Sequence, residues 1–217
     1  VGCGDVEGLR VAIRPADAVG LYARQFSDPG GGLRRVAEAE GGEEATSGGL
    51  PRPVKVGYTT WKSSVGREVE EALAGDPRFA FRSIREAVSW PGLRDLYHWS
   101  DVFLGTPNPQ EGFYLVGLEA MAAGALFVTP DVEGNRAYCR WGENCVRVEW
   151  GSVPAYLAAL ESLAGMGEAQ AAAMRAAGYA VLGNHTLDEE RRLFGEFLEE
   201  LLPPEGGVPS LRGEGGL

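Results

Sequence analysis

The chain has 217 residues, 44% of them apolar and 9% aromatic, with a formal net charge of −11 and a pI near 4.7. This length and apolar content fit one substantial core and exclude a disordered chain, which combines low hydrophobicity with high net charge. The acidic balance lacks the basic footprint that a nucleic-acid partner requires, whereas a small anion needs only one or two local cations and a helix N-terminus.

In chain order, residues 9–13 (LRVAI) read as a short strand and residues 17–26 as a short helix, together an N-terminal remnant over residues 1–27. Residues 28–52, with DPGGG and then EGGEEATSGGLPR, have the composition of a solvated linker. From residue 53 a regular alternation begins. The β-rich run VKVGY is followed by a helical pattern at 64–74 closed by Gly75, then by the β-rich run FAFRSI. Next come a helix at 92–99, a buried strand DVFL at 101–104, the loop GTPNPQ, a helix at 113–123 stopped by Gly124, and the strand LFVT. A short helix near 135–140, the strand CVRVE at 145–149 and helical patterns at 153–164, 168–179 and 187–202 complete a domain over residues 53–202. Strands alternating with helices of this length predict an α/β, doubly wound parallel sheet covered on both faces, Rossmann-like in class. Residues 203–217 hold too little apolar content to pack and read as a disordered tail.

Cys3, Cys139 and Cys145 show no C-x-x-C spacing, so neither a disulfide framework nor a zinc site is indicated. Cys139 and Cys145 read as small buried hydrophobes in a reducing compartment. No apolar run approaches the ~20 residues needed to span a bilayer, and no basic segment leads into an apolar signal core. The reading is a cytoplasmic protein, with peripheral contact to a membrane left open. The chain begins at Val1 rather than Met, which points to a processed, truncated or unusually initiated product.

In open parallel sheets, ligands sit beyond the carboxyl ends of the strands, where loops lead into helix N-termini. Residues 105–112 occupy such a loop and deliver Glu111 and Gly112 to the expected first turn of a helix, whose amides and dipole favour an anion. Glu119 follows Glu111 by eight residues, a rotation of about 80° on a continuous helix. The two carboxylates would then address one elongated ligand at different depths. Glu119 stands among Leu115, Val116, Leu118 and Met121, where a charge needs a polar partner such as a ribose hydroxyl. Two glutamates on an isolated helix are an ordinary solvated face; the surrounding residues make the difference.

The segment EGFYLVGLEAMAAGALFVTPDVEGNRAYCRWGENCVRV closely resembles the signature region of family 4 retaining glycosyltransferases, with Glu-x7-Glu in an EGF…LEAMA-G frame. A Gly/Asn turn follows in that family, here Glu133-Gly134-Asn135, and then a DGENG-like turn, here Gly142-Glu143-Asn144. Upstream, LRDLYHWSDVFL resembles the family's approach to the same loop. The resemblance implies the donor domain of a GT-B fold, with an acceptor domain largely outside this chain. It also implies that Glu111 and the amides of Gly112 and Phe113 meet the donor sugar and its phosphate, and that Glu119 binds the ribose. Two positions depart from the pattern. Tyr114 replaces the family's second glycine and narrows the space beside the phosphate. Gly57 is followed by Tyr58 where the family has arginine, leaving Lys62 as the main cation and Arg67 as a secondary one. The end of the strand at Ile84 places backbone where the nucleotide base would lie.

The implied activity is sugar transfer from a nucleotide-sugar donor with retention of configuration, with Glu111 and Lys62 in catalytic roles and neither metal nor cofactor. The partners would be that donor, an acceptor of unread class (glycan, lipid or small molecule), and a separate N-terminal acceptor domain. A non-catalytic nucleotide-sugar-binding partner subunit is the alternative, and a sugar-nucleotide epimerase a third reading. His98 and His185 read as structural.

Overall fold

In a computed structural model the described residues are 50–202. The strand at 9–13, the helix at 17–26, nearly all of the 28–52 linker and the 203–217 tail lie outside them. Five strands, β1 (Val54–Thr59), β2 (Phe79–Ile84), β3 (Val102–Leu104), β4 (Leu126–Pro130) and β5 (Cys145–Val148), form one sheet in the order β2-β1-β3-β4-β5. Every neighbouring pair is parallel. The helices are α1 (Val65–Ala72), α2 (Trp90–Trp99), α3 (Leu115–Ala122), α4 (Val153–Ala164), α5 (Glu168–Leu182) and α6 (Leu187–Leu201).

Why β3 and β4 are continuous apolar runs follows from their position. Successive side chains point to opposite faces, and both faces of a central parallel strand are covered. Val102 and Leu104 of β3 and Leu126 and Val128 of β4 pack with Val65 and Val69 of α1 and Tyr156, Leu160 and Leu163 of α4. Phe103 and Phe127 point the other way, to Leu93, Leu96 and Tyr97 of α2 and Leu118 and Met121 of α3. Each fully buried aromatic contributes roughly 2–3 kcal/mol of transfer free energy. The sheet is therefore doubly wound, as expected, and α3 ends at Gly124, whose φ of +78° an L side chain rarely adopts.

Several elements differ from expectation at their ends, α2 starting at Trp90 and α5 running on to Leu182, and two differ beside the site. Helix α3 begins at Leu115, not at residue 113. Tyr114 is held outside the helix: its N–H donates to the Gly134 carbonyl at 2.7 Å, and its own carbonyl accepts the Tyr138 hydroxyl. Instead of a helix at 135–140, the chain makes a single 3₁₀ turn at Glu133–Asn135. Side chains take over the backbone groups that a helix would need. The Asn144 amide donates to the Tyr138 carbonyl at 2.9 Å and its Oδ1 accepts the Arg140 N–H at 2.7 Å. Asn135 donates to the Pro130 carbonyl at 2.8 Å and accepts the Val132 N–H at 3.3 Å.

Candidate active site

Strand order alone singles out one position. β2 and β3 lie on opposite sides of β1, so the loops leaving β1 and β3 diverge at their carboxyl ends and leave a crevice, the usual ligand position in such sheets. Lys62 comes from the first loop and Glu111 from the second. Across 49 residues of sequence, Lys62 Nζ meets Glu111 Oε2 at 2.5 Å, with the two side chains 35% and 18% exposed. The same ammonium lies 5.2 Å from the centre of the Tyr114 ring, a cation–π distance. A cation, a carboxylate and an aromatic face thus converge at the switch point.

The loop that carries Glu111 is fixed from several sides. Gly105 donates to the Val128 carbonyl at 2.8 Å, prolonging the β3–β4 pairing, and its own carbonyl accepts the Tyr156 hydroxyl at 2.5 Å. The Thr106 N–H donates to the Tyr114 hydroxyl at 3.2 Å, and the Trp150 indole donates to the Pro107 carbonyl at 3.1 Å. The Glu133-Gly134-Asn135 turn presses against Glu111 so closely that a β-carbon on Gly134 would stand 2.6 Å from the Glu111 carbonyl oxygen. Among the described residues, the N–H groups of Gly112 and Phe113 carry no hydrogen bond, and Gly112 has open space beside its α-carbon. Two adjacent unpaired amide donors, on exposed residues, therefore follow Glu111 in the loop.

Glu119 is placed differently. Because Glu111 precedes α3, the continuous-helix rotation does not relate the two glutamates. Glu119 is buried, and its Oε2 accepts the Tyr97 hydroxyl from α2 at 2.7 Å. Burial raises its pKa above the usual carboxylate value, and the Tyr97 hydrogen bond partly offsets that. Tyr97 in turn is pushed up by burial and by the Glu119 charge. Among the described residues, the Tyr97 hydroxyl thus supplies a polar partner for Glu119.

The other expected residues divide. Tyr114 is buried, with its hydroxyl turned to Thr106, and burial raises its pKa. Phe113 turns its ring to Tyr138 and His185, with centroids 6.0 and 5.8 Å away. His185 therefore touches the site loop, and burial followed by the Arg140 charge lowers its pKa. Ile84 closes the far edge, its carbonyl accepting the Thr60 N–H at 3.1 Å. Arg67 is not brought in: its guanidinium lies 3.7 Å from Glu71, one turn along the exposed face of α1. Cys139 and Cys145 are buried free thiols, and hydrogen bonding with Cys145 and burial hold the Cys139 thiol protonated. Sequence reasoning passed over Tyr97, Tyr138 and Thr106, which resemble ordinary core and loop residues. Only the placement of Tyr97 on the buried face of α2 marked it as a partner for Glu119.

The sequence profile of glycosyl transferases group 1 matches residues 56–165, which include Lys62, Ile84, Tyr97, Glu111, Gly112, Phe113, Tyr114 and Glu119. The chain belongs to that family. This group 1 chain is also similar in fold to a UDP-forming α,α-trehalose-phosphate synthase from Burkholderia vietnamiensis, with a TM-score of 0.57 and 16% identity over 85% of this chain and 51% of that one. It resembles the C-terminal domain of a group 1 family protein from Francisella tularensis, with a TM-score of 0.54 and 12% identity over 75% of this chain and 96% of that one. A third similarity is to the GtfA/B complex, with a TM-score of 0.54 and 19% identity over 72% of this chain and 38% of that one. The chain thus spans about half or less of the synthase and GtfA/B chains. No curated protein matches it. Among the described residues, no helix is long and apolar enough to cross a membrane.

Proposed function

We propose that residues 53–202 are the donor-binding domain of a retaining glycosyltransferase, holding a nucleotide-diphosphate sugar in the crevice between β1 and β3. The observation that carries this reading is the pairing of Lys62 with Glu111 across the switch point, followed in the loop by the unpaired amides of Gly112 and Phe113. A diphosphate leaving group needs fixed positive potential where its charge develops. Lys62 and the loop amides supply it, while Glu111 orients Lys62 and addresses the sugar. Ile84 and Thr60 border the side on which a base would lie, and Glu119, held by Tyr97, supports the floor of α3 toward the ribose.

Titration calorimetry with UDP and GDP tests the site. Lys62→Ala is expected to weaken nucleotide binding by about 1–3 kcal/mol, the scale of a charged hydrogen bond, with Glu111→Ala weakening binding of the UDP-sugar more than that of UDP. EDTA is expected to leave both affinities unchanged, because the cation of this site is an ammonium. Unchanged affinity in Lys62→Ala, with the fold intact, would remove this crevice as the donor site.

One observation favours a second reading, a non-catalytic subunit that binds a nucleotide sugar for a partner. With Arg67 paired to Glu71 and Tyr58 buried against Glu70, Lys62 is left as the cation facing Glu111. The GtfA/B relative is itself described as a complex. Detectable transfer by a longer form of this protein, abolished by Glu111→Ala, decides for the enzyme.

A further inference from the structure

At the opposite end of the sheet from β2, the carboxyl ends of β4 and β5 border an open cavity of about 450 Å³ lined by Asp131, Arg147, Val148, Glu149 and Trp150. That volume lies within the range of small-molecule sites. Trp150 leaves β5 with 55% of its surface exposed, although a large aromatic is costly to keep in water. Its indole N–H is already used on the Pro107 carbonyl at 3.1 Å. That bond fixes the side chain and leaves the flat face of the ring as what Trp150 offers. Around it stand groups that both donate and accept. Asp131 accepts from Arg136 at 2.7 Å and lies 3.5 Å from the Arg147 guanidinium, which also covers the neighbouring Trp141 ring at 5.8 Å. Glu149 adds an exposed carboxylate.

We propose that this cavity is a saccharide site, distinct from the donor crevice, that takes a neutral sugar ring against the face of Trp150. A pyranose presents C–H bonds on one face and hydroxyls around its rim, which suits one fixed aromatic face bordered by carboxylates and a guanidinium. The lining does not favour an anion: the guanidiniums of Arg136 and Arg147 are both paired with Asp131, and Glu149 adds a further carboxylate, so a phosphorylated ligand finds no unpaired cation among these groups. A nucleotide could stack its base on the same ring, but it would bring its phosphate to guanidiniums already paired with Asp131 and to the Glu149 carboxylate. Because Trp150 is bonded to Pro107, four residues ahead of Glu111 in the same loop, a sugar held here lies beside the loop that forms the donor crevice. The inference goes beyond the donor reading and does not depend on it.

The test follows the Trp150 indole signal in a proton–nitrogen spectrum of the 217-residue protein, assigned with Trp150→Phe. Cellobiose, maltose and diacetylchitobiose are titrated as neutral probes, UMP as the nucleotide probe, and UDP as a report on the donor crevice. At least one disaccharide is expected to move the Trp150 signal with millimolar affinity. In the variants that lack this indole, binding is followed by the backbone amide signals of Arg147 and Glu149, and Trp150→Ala should weaken it about tenfold or more, as loss of an aromatic anchor does. Trp150→Phe should keep part of the affinity, and Arg147→Ala should weaken it without disturbing the other indole signals. The proposal falls if no disaccharide moves the signal, if Trp150→Ala and Arg147→Ala bind as the parent does, or if UMP moves it and the sugars do not. Failure of UDP to bind, with sugars still shifting Trp150, would count against the donor reading alone.

Discussion

Gly134 shows how a residue with no chemistry of its own shapes the site. The contact at 2.6 Å is to the Glu111 backbone carbonyl, with the side-chain Cγ at 3.1 Å. Backbone on both sides gives little room to yield, so Gly134→Ala must displace Glu111. We expect a cost of about 1–3 kcal/mol in stability and a loss of nucleotide-sugar affinity larger than the loss for free UDP, measured by denaturant unfolding and calorimetry. Equal affinities in the parent and Gly134→Ala would show that Glu111 does not need its present position. Glu119 gives a pH signature. Its folded-state pKa is raised by burial, so the folded protein holds this proton more tightly than the unfolded chain does. Stability from this group is then fully present below the unfolded value near 4.5 and declines as pH rises through the window up to the folded value. Glu119→Gln keeps the shape and an acceptor for Tyr97 without the charge. Thermal midpoints measured upward from about pH 4.5 should fall less steeply in Glu119→Gln than in the parent; parallel curves would contradict the assignment.

At the scale of elements, α5 is tied to the α3–β4 turn by Arg175, whose side chain is only 4% exposed. Its Nε donates to the Gly124 carbonyl at 3.1 Å, and its Nη1 lies 3.2 Å from Glu168. Arg175→Ala removes the buried donor while leaving Glu168 partly solvated, so unfolding should become easier by about 1–3 kcal/mol. Glu168→Gln should cost under about 1 kcal/mol, because its partner charge keeps Gly124. A silent Arg175→Ala in urea unfolding would mean that α5 is held by packing alone. The elements set by local pattern were legible beforehand: FAFRSI is β2 without a residue's error, and the helix at 153–164 is α4 at both ends. What escaped the sequence was decided by distant partners. The start of α3 depends on Gly134 and Tyr138 meeting Tyr114, and the turn after β4 depends on Asn135 and Asn144 bonding backbone several residues away. The pairing of Lys62 with Glu111 needed the sheet order, which no local period encodes. Arg67 has the charge and the sequence proximity of a second site cation, yet α1's rotation directs it to Glu71.

At the scale of the whole molecule, the proposed donor crevice is open to water. Lys62 is 35% exposed at its side chain, and Trp61 and Phe113, in the two loops that carry Lys62 and Glu111, are 48% and 40% exposed. Group transfer demands an aligned acceptor and exclusion of water from the activated donor, and a half-solvated crevice provides neither. The 217-residue protein is therefore expected to bind a nucleotide sugar only in the micromolar to millimolar range, and to release free sugar or transfer it at a barely measurable rate. Supplying a second Rossmann-like domain, as a longer form of the same protein or as a separate partner, should cover the crevice and raise transfer by roughly two orders of magnitude or more, the scale on which positioning acts. The product's anomeric configuration, read by NMR, should match the donor's, and Glu111→Ala should abolish turnover while leaving the assembly intact. Vigorous transfer by the 217-residue protein alone would refute the need for a covering domain. Inversion would refute the retaining assignment. An assembly that binds the donor tightly but never transfers would instead place this chain among non-catalytic partners, with Lys62 serving recognition rather than departure of the diphosphate.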